Sequence, residues 1–276
     1  MSRKHIAIIG ATSAIAEHCA RLWVEREPLT LTLIGRDEEK LRHIAADLKA
    51  RSPASEIATY AQADLTSAAA IAQCVASLQT PAPPDVALVA FGLLPDQDAC
   101  EQNLQANADA QWINGVAPAL YAEALVNAMQ QAGRGAVAVI GSVAGDRGRK
   151  SNYVYGAAKG LVARYMQGLQ HRLALQKSPV RAVLIKPGPT DTPMTAHLKT
   201  GTGRASMAAP EEVRKKLRPI RPKPLMPTRV VTLRPPSTPI GRTCFVACRT
   251  PCVPRSPRAN PRGPALVSVA SRTGRV

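Results

Sequence analysis

No apolar run in this 276-residue chain approaches the ~18 residues that a membrane-crossing helix needs, so no span is expected. The basic start Met1-Ser2-Arg3-Lys4-His5 leads only into Ile6-Ala7-Ile8-Ile9 before Gly10. That is shorter than the apolar core of roughly 7–15 residues in a secretory signal, and it predicts a cytoplasmic protein that begins in a strand. Patterned cysteine is also lacking. Cys19, Cys74 and Cys100 are scattered, which predicts buried thiols in a reducing compartment. Cys244, Cys248 and Cys252 recur every four residues, but amid proline and arginine with no nearby histidine, so no metal is expected. Aromatic residues make up only 3% of the chain, and Phe245 is the last of them and the only one past residue 198.

Negative charge runs out as well. Residues 1–198 carry 19 Lys/Arg and 17 Asp/Glu, whereas residues 199–276 carry 17 Lys/Arg against only Glu211 and Glu212. The formal net charge of +17 therefore belongs to a segment and not to the body of the chain. That segment also holds 13 of the 24 prolines. Two polypeptide textures are joined, and the sequence divides into a domain over 1–213 and a basic Pro/Arg-rich tail over 214–276.

The body alternates β-type apolar runs with amphipathic helical stretches, the pattern of βαβ units around a parallel sheet. Strands are predicted at His5–Ile9, Leu29–Ile34, Ile57–Ala61, Asp85–Phe91, Ala136–Ile140 and Val180–Lys186. Helices are predicted at Ala14–Glu25, from the Asp37 cap to Arg51, over Asn103–Gln131 with breaks at Gly115 and Pro118, and over Asn152–Gln176. In the last, Leu161, Tyr165, Leu169 and Leu173 read as one apolar stripe. The expected fold is a single α/β domain, a doubly wound parallel sheet of Rossmann type with ligands at the carboxyl ends of its strands. Arg229–Leu233 offers one further strand, but Pro235-Pro236 follows at once, so the last strand of such a sheet is expected to be missing and the tail unstructured.

Small residues link the first strand to the first helix: Gly10-Ala11-Thr12-Ser13-Ala14-Ile15-Ala16. A pyrophosphate needs close backbone N–H groups and a helix N-terminus pointing at it. The second strand ends Leu33-Ile34-Gly35-Arg36, with no acid to hold a ribose 2′-hydroxyl. The Arg36 guanidinium suits a 2′-phosphate instead, the alternative being a surface arginine that opens a helix. NADP(H) is the expected cofactor.

Tyr155 and Lys159 stand four apart on one predicted helix and share a face. Ser142 lies just past the fifth strand. Carbonyl reduction by hydride needs a proton delivered to the oxygen. A phenol of pKa ~10 does that poorly unless a cation favours its anion. Lys159 supplies the cation, and Ser142 can hydrogen-bond the substrate oxygen. The alternative is a packing tyrosine beside a surface lysine.

With these residues in place the sequence resembles the short-chain dehydrogenase/reductase family from residue 4 to about 198. The matching residues are Gly10-x-x-x-Ala14-x-Ala16, Asp64-Leu65, Asn114, Ser142, Tyr155-x-x-x-Lys159 and Pro187-Gly188-Pro189-Thr190-Asp191-Thr192. The resemblance implies that Asp64 and Leu65 lie beside the adenine and that Asn114 supports a proton relay through Lys159. It implies that Pro187, Gly188, Thr190 and Thr192 contact nicotinamide and phosphates, with Ala90 and Gly92 beside the cofactor. It also implies a homodimer or homotetramer through the long helices, and a small-molecule carbonyl or alcohol as substrate. The pattern departs from the family at Val89-Ala90-Phe91-Gly92, where asparagines are usual, and at Gly141, where a serine is common. Gly145-Asp146-Arg147-Gly148-Arg149 and Ser151-Asn152-Tyr153 resemble bacterial members that reduce keto-sugars. Met194 and His197 are placed near the substrate.

Two other readings stand beside the reductase. One is a cofactor-binding protein without turnover; the other is a nucleic-acid or anionic-surface binder through its tail, for which base-stacking aromatics are absent. The alanine-rich body points to a G/C-rich gene, whose shifted frame would encode Pro, Arg, Gly and Ala. The tail is therefore expected to be an out-of-frame translation.

Overall fold

The computed structural model describes residues 3–200 and 229–233. Seven parallel strands form one sheet: β1 (His5–Ile9), β2 (Thr30–Gly35), β3 (Glu56–Ala61), β4 (Val86–Val89), β5 (Ala136–Ile140), β6 (Arg181–Pro187) and β7 (Arg229–Leu233). Their order across the sheet is β3-β2-β1-β4-β5-β6-β7. The chain winds outward from β1 to β3, then returns to β4 on the other side of β1. This reversal opens a crevice past the carboxyl ends of β1 and β4, where a doubly wound sheet receives ligands.

The central strands β1, β4 and β5 are apolar runs buried on both faces, as a parallel sheet covered by helices demands, whereas β3 at the sheet's edge is largely exposed. One core layer joins Ala7, Ile9, Val137, Val139 and Leu184 to helices α3 (Ala68–Ser77), α6 (Ala117–Gln131) and α7 (Tyr153–Leu175). The other joins Ile6, Ile8, Leu31, Leu33 and Ile185 to α1 (Ala14–Val24) and α2 (Glu38–Arg51). Asp37 caps α2 by accepting from the Lys40 amide at 3.0 Å, as its position before the helix predicts. Two short helices, α4 (Gln97–Gln102) and α5 (Leu104–Gln111), lead into a π turn at Trp112–Val116 and then α6. The break expected at Gly115 and Pro118 is this π turn. No described helix is long and apolar enough to cross a membrane. Cys19, Cys74 and Cys100 are buried and form no disulfide among the described residues.

Two expectations are corrected. The last strand is present: Arg229–Leu233 pairs in parallel with Val183–Pro187 of β6. Its Val-Val-Thr centre is β-branched, and an edge strand needs hydrogen bonds on one side only, so flanking prolines limit its length without forbidding it. The stripe on α7 is half right. Leu169 and Leu173 are buried, but Leu161 and Tyr165 are 41% and 36% exposed. A step of four residues overshoots a full turn by about 40°, so three such steps drift off one face. Val154, Ala158, Val162 and Met166 fill the buried positions instead. The tail expectations for residues 214–228 and 234–276, and the metal question at Cys244, Cys248 and Cys252, lie outside the described residues.

Candidate active site and cofactor cleft

The loop from β1 to α1 begins with Gly10 at φ +84°. A Cβ there would lie 2.6 Å from the Phe91 nitrogen, so this position tolerates glycine alone. The Gly10 and Ala11 amides both donate to the Ile34 carbonyl at 2.9 Å, which pins the loop against β2. Ser13 then opens α1 in extended geometry without capping it through its side chain. The first-turn amides of α1 thus keep the orphan donors of a helix N-terminus. The hydroxyls of Thr12 and Ser13 likewise have no hydrogen-bond partner among the described residues.

These residues form one wall of a cleft of about 300 Å³. Gly10, Thr12, Ser13, Ala14 and Ile15 line it with Gly35, Arg36, Leu65 and Thr66 at one end. Ala90, Phe91, Gly92, Leu93, Ile113, Thr192, Pro193 and Met194 complete the wall. Arg36 is exposed and has no hydrogen bond or ion pair among the described residues. A phosphate-bearing dinucleotide fits this donor set: a helix N-terminus, two uncommitted hydroxyls and an unpaired guanidinium.

Asp64 is exposed yet committed. Its carboxylate accepts from the Thr66 amide at 2.7 Å, the Thr66 hydroxyl at 2.9 Å and the Ser67 amide at 3.2 Å. Hydrogen bonds from Ser67 and Thr66 hold its pKa down at about 2. It shapes the turn that presents Leu65 and Thr66, and it is not itself part of the cleft wall.

Past the end of β5, Ser142 caps a short 3-10 turn (Val143–Asp146), its hydroxyl accepting from the Ala144 amide at 3.1 Å. That turn lies tight on α7. A Cβ on Gly145 would come within 2.6 Å of the Lys159 carbonyl carbon, and one on Gly156 within 3.0 Å of the Ala144 oxygen. Contact at this range brings Ser142 near Tyr155, close enough to act on the ionisation of its phenol. Burial pushes the Tyr155 phenol above its ordinary value, and its interaction with Ser142 opposes that shift. Lys159 is 3% exposed. Its Nζ lies 5.7 Å from the centre of the Tyr155 ring and donates to the Ile140 carbonyl at 3.2 Å. Burial drops its pKa to about 8.

Asn114 is fully buried at the centre of the π turn. Its Oδ1 accepts from the Leu93 amide and its Nδ2 donates to the Ala110 carbonyl, both at 2.9 Å. A Cβ on Gly92 would fall 2.8 Å from that Oδ1 and 3.7 Å from Lys159 Nζ, so Gly92 joins Asn114 to Lys159. The loop after β4, which lacks the expected asparagines, is held by other means. Phe91 packs on Gly10 and meets the Tyr121 ring edge-on, with centroids 5.6 Å apart. Gly141 also has its reason, because a Cβ there would lie 2.8 Å from Leu184 Cδ1.

Of the residues singled out from sequence, Ser142, Tyr155, Lys159, Asn114 and Gly92 converge on one point. Gly10, Thr12, Ser13, Ala14, Ile15, Arg36, Leu65, Ala90 and Thr192 line the cleft beside it. Pro187 ends β6, and Gly188 and Thr190 follow it. The Thr190 hydroxyl is spent on the Gly188 carbonyl at 3.0 Å. The His197 side chain lies outside the described ones. Phe91, Leu93, Ile113, Thr66 and Pro193 were not anticipated; apolar residues in a loop carry no chemical signature, and only their place at the crevice marks them. Lys186 also escaped notice, and it forms an ion pair with Asp146 that ties the Ser142 turn to β6.

Residues 4–203 match the family model described as short chain dehydrogenase. An uncharacterized oxidoreductase of Mycobacterium tuberculosis is 35% identical over 185 residues, 66% of this chain and 72% of that protein. One of Streptomyces coelicolor is 29% identical over 213 residues, 74% of this chain and 81% of that protein. Among solved structures, a short-chain dehydrogenase from Sphingobium yanoikuyae in complex with NADPH superposes with a TM-score of 0.69 at 25% identity. The match covers 85% of this chain and 88% of that one. A short chain dehydrogenase of Shigella flexneri complexed with NADP gives 0.66 at 27% identity, covering 76% and 87%.

Proposed function

The chain belongs to the short-chain dehydrogenase family, and from that premise we propose an NADP(H)-dependent oxidoreductase of the cytoplasm that interconverts a small-molecule carbonyl and alcohol. The observation that carries this reading is Lys159 Nζ 5.7 Å from the centre of the Tyr155 phenol ring, with Ser142 acting on the same phenol, next to a cleft that suits a dinucleotide. The NADPH and NADP bound to the Sphingobium and Shigella proteins support the choice of cofactor, as does Arg36 at the end of β2.

The α1 N-terminus with Thr12 and Ser13 would hold the pyrophosphate, Arg36 the 2′-phosphate, and Leu65 the adenine. Ala90, Gly92 and Thr192 would flank the nicotinamide half. When bound, the cofactor supplies or accepts hydride. Tyr155 moves the proton: its phenol, kept neutral by burial, donates to the substrate oxygen in reduction and accepts in oxidation. The Ser142 hydroxyl stabilises charge developing on that oxygen. Lys159 stabilises the phenolate left behind, and Asn114 holds the Gly92–Leu93 backbone against Lys159. The exposed Leu161 and Tyr165 on α7 support assembly as a homodimer or homotetramer, which light scattering on the eluted protein measures.

Thermal shift with NADPH against NADH tests the cofactor, because a ligand that binds the folded state raises its melting temperature. A larger shift with NADPH is expected, and Arg36→Ala should bring the two together. NADPH oxidation at 340 nm with ketones and keto-sugars tests turnover. Binding without turnover across that panel would replace the enzyme with a cofactor-binding protein.

A further inference from the structure

We infer that Trp112 is a positioning residue that transmits occupancy of the distal end of the cofactor cleft to the catalytic end. The inference rests on reading the cleft as a dinucleotide site. Tyr155 and Lys159 fix the end where chemistry occurs, so the nucleotide that does not react lies beyond α1, against Arg36, Leu65 and Thr66. The Trp112 indole Nε1 donates to the Thr66 carbonyl at 3.0 Å across 46 residues of sequence. Thr66 is already fixed from its other side by Asp64.

Trp112 is also the first residue of the π turn, whose Ala117 amide bonds back to the Trp112 carbonyl. Two residues on, Asn114 accepts from the Leu93 amide. One further, Gly115 lies against α7, where a Cβ would come within 3.2 Å of Ala158 Cα, the residue before Lys159. A continuous series of contacts therefore runs from Asp64 through Thr66, Trp112 and Asn114 to Leu93. π turns inside helices are rare and cluster at functional sites. Burial does not account for this tryptophan, which is 43% exposed; its one polar atom is used to tie the turn to the distal loop. A nucleotide that orders Thr66 thereby orders the turn that holds Asn114 against Gly92 and Lys159.

The test uses the full chain, 2′,5′-ADP as a probe that lacks the nicotinamide half, and amide hydrogen exchange read at residues 90–94. In wild type the probe should slow exchange of the Leu93 amide by at least about threefold, although it touches only the far end of the cleft. Trp112→Phe removes the indole N–H and keeps the ring. It should bind 2′,5′-ADP within about twofold of wild type and lose the protection. Protection that survives in Trp112→Phe overturns the inference, as does a wild-type chain that binds the probe without protection at 90–94. A variant that no longer binds 2′,5′-ADP makes Trp112 an ordinary ligand-binding residue and overturns it too. If wild type binds neither 2′,5′-ADP nor 5′-ADP, the dinucleotide reading fails and takes this inference with it.

Discussion

At the scale of single residues, the site combines groups whose ordinary ionisation has been shifted by burial. Lys159 ionises near 8 when folded against 10.5 for the free side chain. Between those values the unfolded chain binds a proton that the folded chain does not, so this residue makes stability rise with pH from about 8 toward 10. Lys159→Met should flatten that rise, seen by comparing melting temperatures of the two ligand-free proteins across the window. It should also abolish turnover, because the phenolate loses its cation. Tyr155→Phe keeps the ring and should cut turnover by about 10³-fold or more while leaving the NADPH thermal shift intact. Unchanged activity would move the proton-transfer role elsewhere. Gly10→Ala meets both a positive φ and the Phe91 backbone, and should cost more than about 2 kcal/mol in chemical denaturation. Ser142, Tyr155 and Lys159 were legible in sequence because their chemistry is rare and their spacing fixed by strand and helix. Trp112 was not, because a hydrogen bond between residues 112 and 66 leaves no local pattern.

At the scale of elements, strands were read well and helix faces less so. Four of the six strands of the body, β1, β4, β5 and β6, hold continuous apolar runs, a signal that survives without knowing which neighbour each will pair with. The buried face of α7 mixes glycine, alanine and valine at its start with leucine at its end, so the larger exposed Leu161 and Tyr165 drew attention from the smaller buried Ala158 and Val162. Small residues matter most where α7 meets the 3-10 turn that carries Ser142. Gly145→Ala would press a methyl onto the Lys159–Gly160 peptide, backbone that cannot rotate away, and the turn must move. A displacement near 1 Å between Ser142 and Tyr155 should lower kcat by at least about tenfold. The cofactor thermal shift should persist, and its loss would mean that the turn also shapes the cleft.

At the scale of the whole molecule, the unevenly spread charge and the seventh strand bear on each other. The compact unit that contains every described residue runs from Met1 to Thr238. A chain ending at Thr238 should keep its fold and its NADPH response, and should elute from heparin at lower salt than the full chain, since it sheds much of the basic segment. Salt-sensitive DNA binding lost with the same truncation would favour a nucleic-acid role for that segment. The pairing of Arg229–Leu233 with β6 moves our inferred frame break downstream of Leu233. Reading the gene in its other two frames past that codon should reveal an apolar, helix-patterned continuation, and its absence would make the tail genuine. The order of strands has one more consequence, for synthesis. The described cleft lining ends at Met194, but β7 begins at Arg229. A ribosome therefore releases the described cleft lining before β7 emerges. Nucleotide captured at that stage would act as a template, holding the nascent sheet together until its final strand emerges to close the flank of β6.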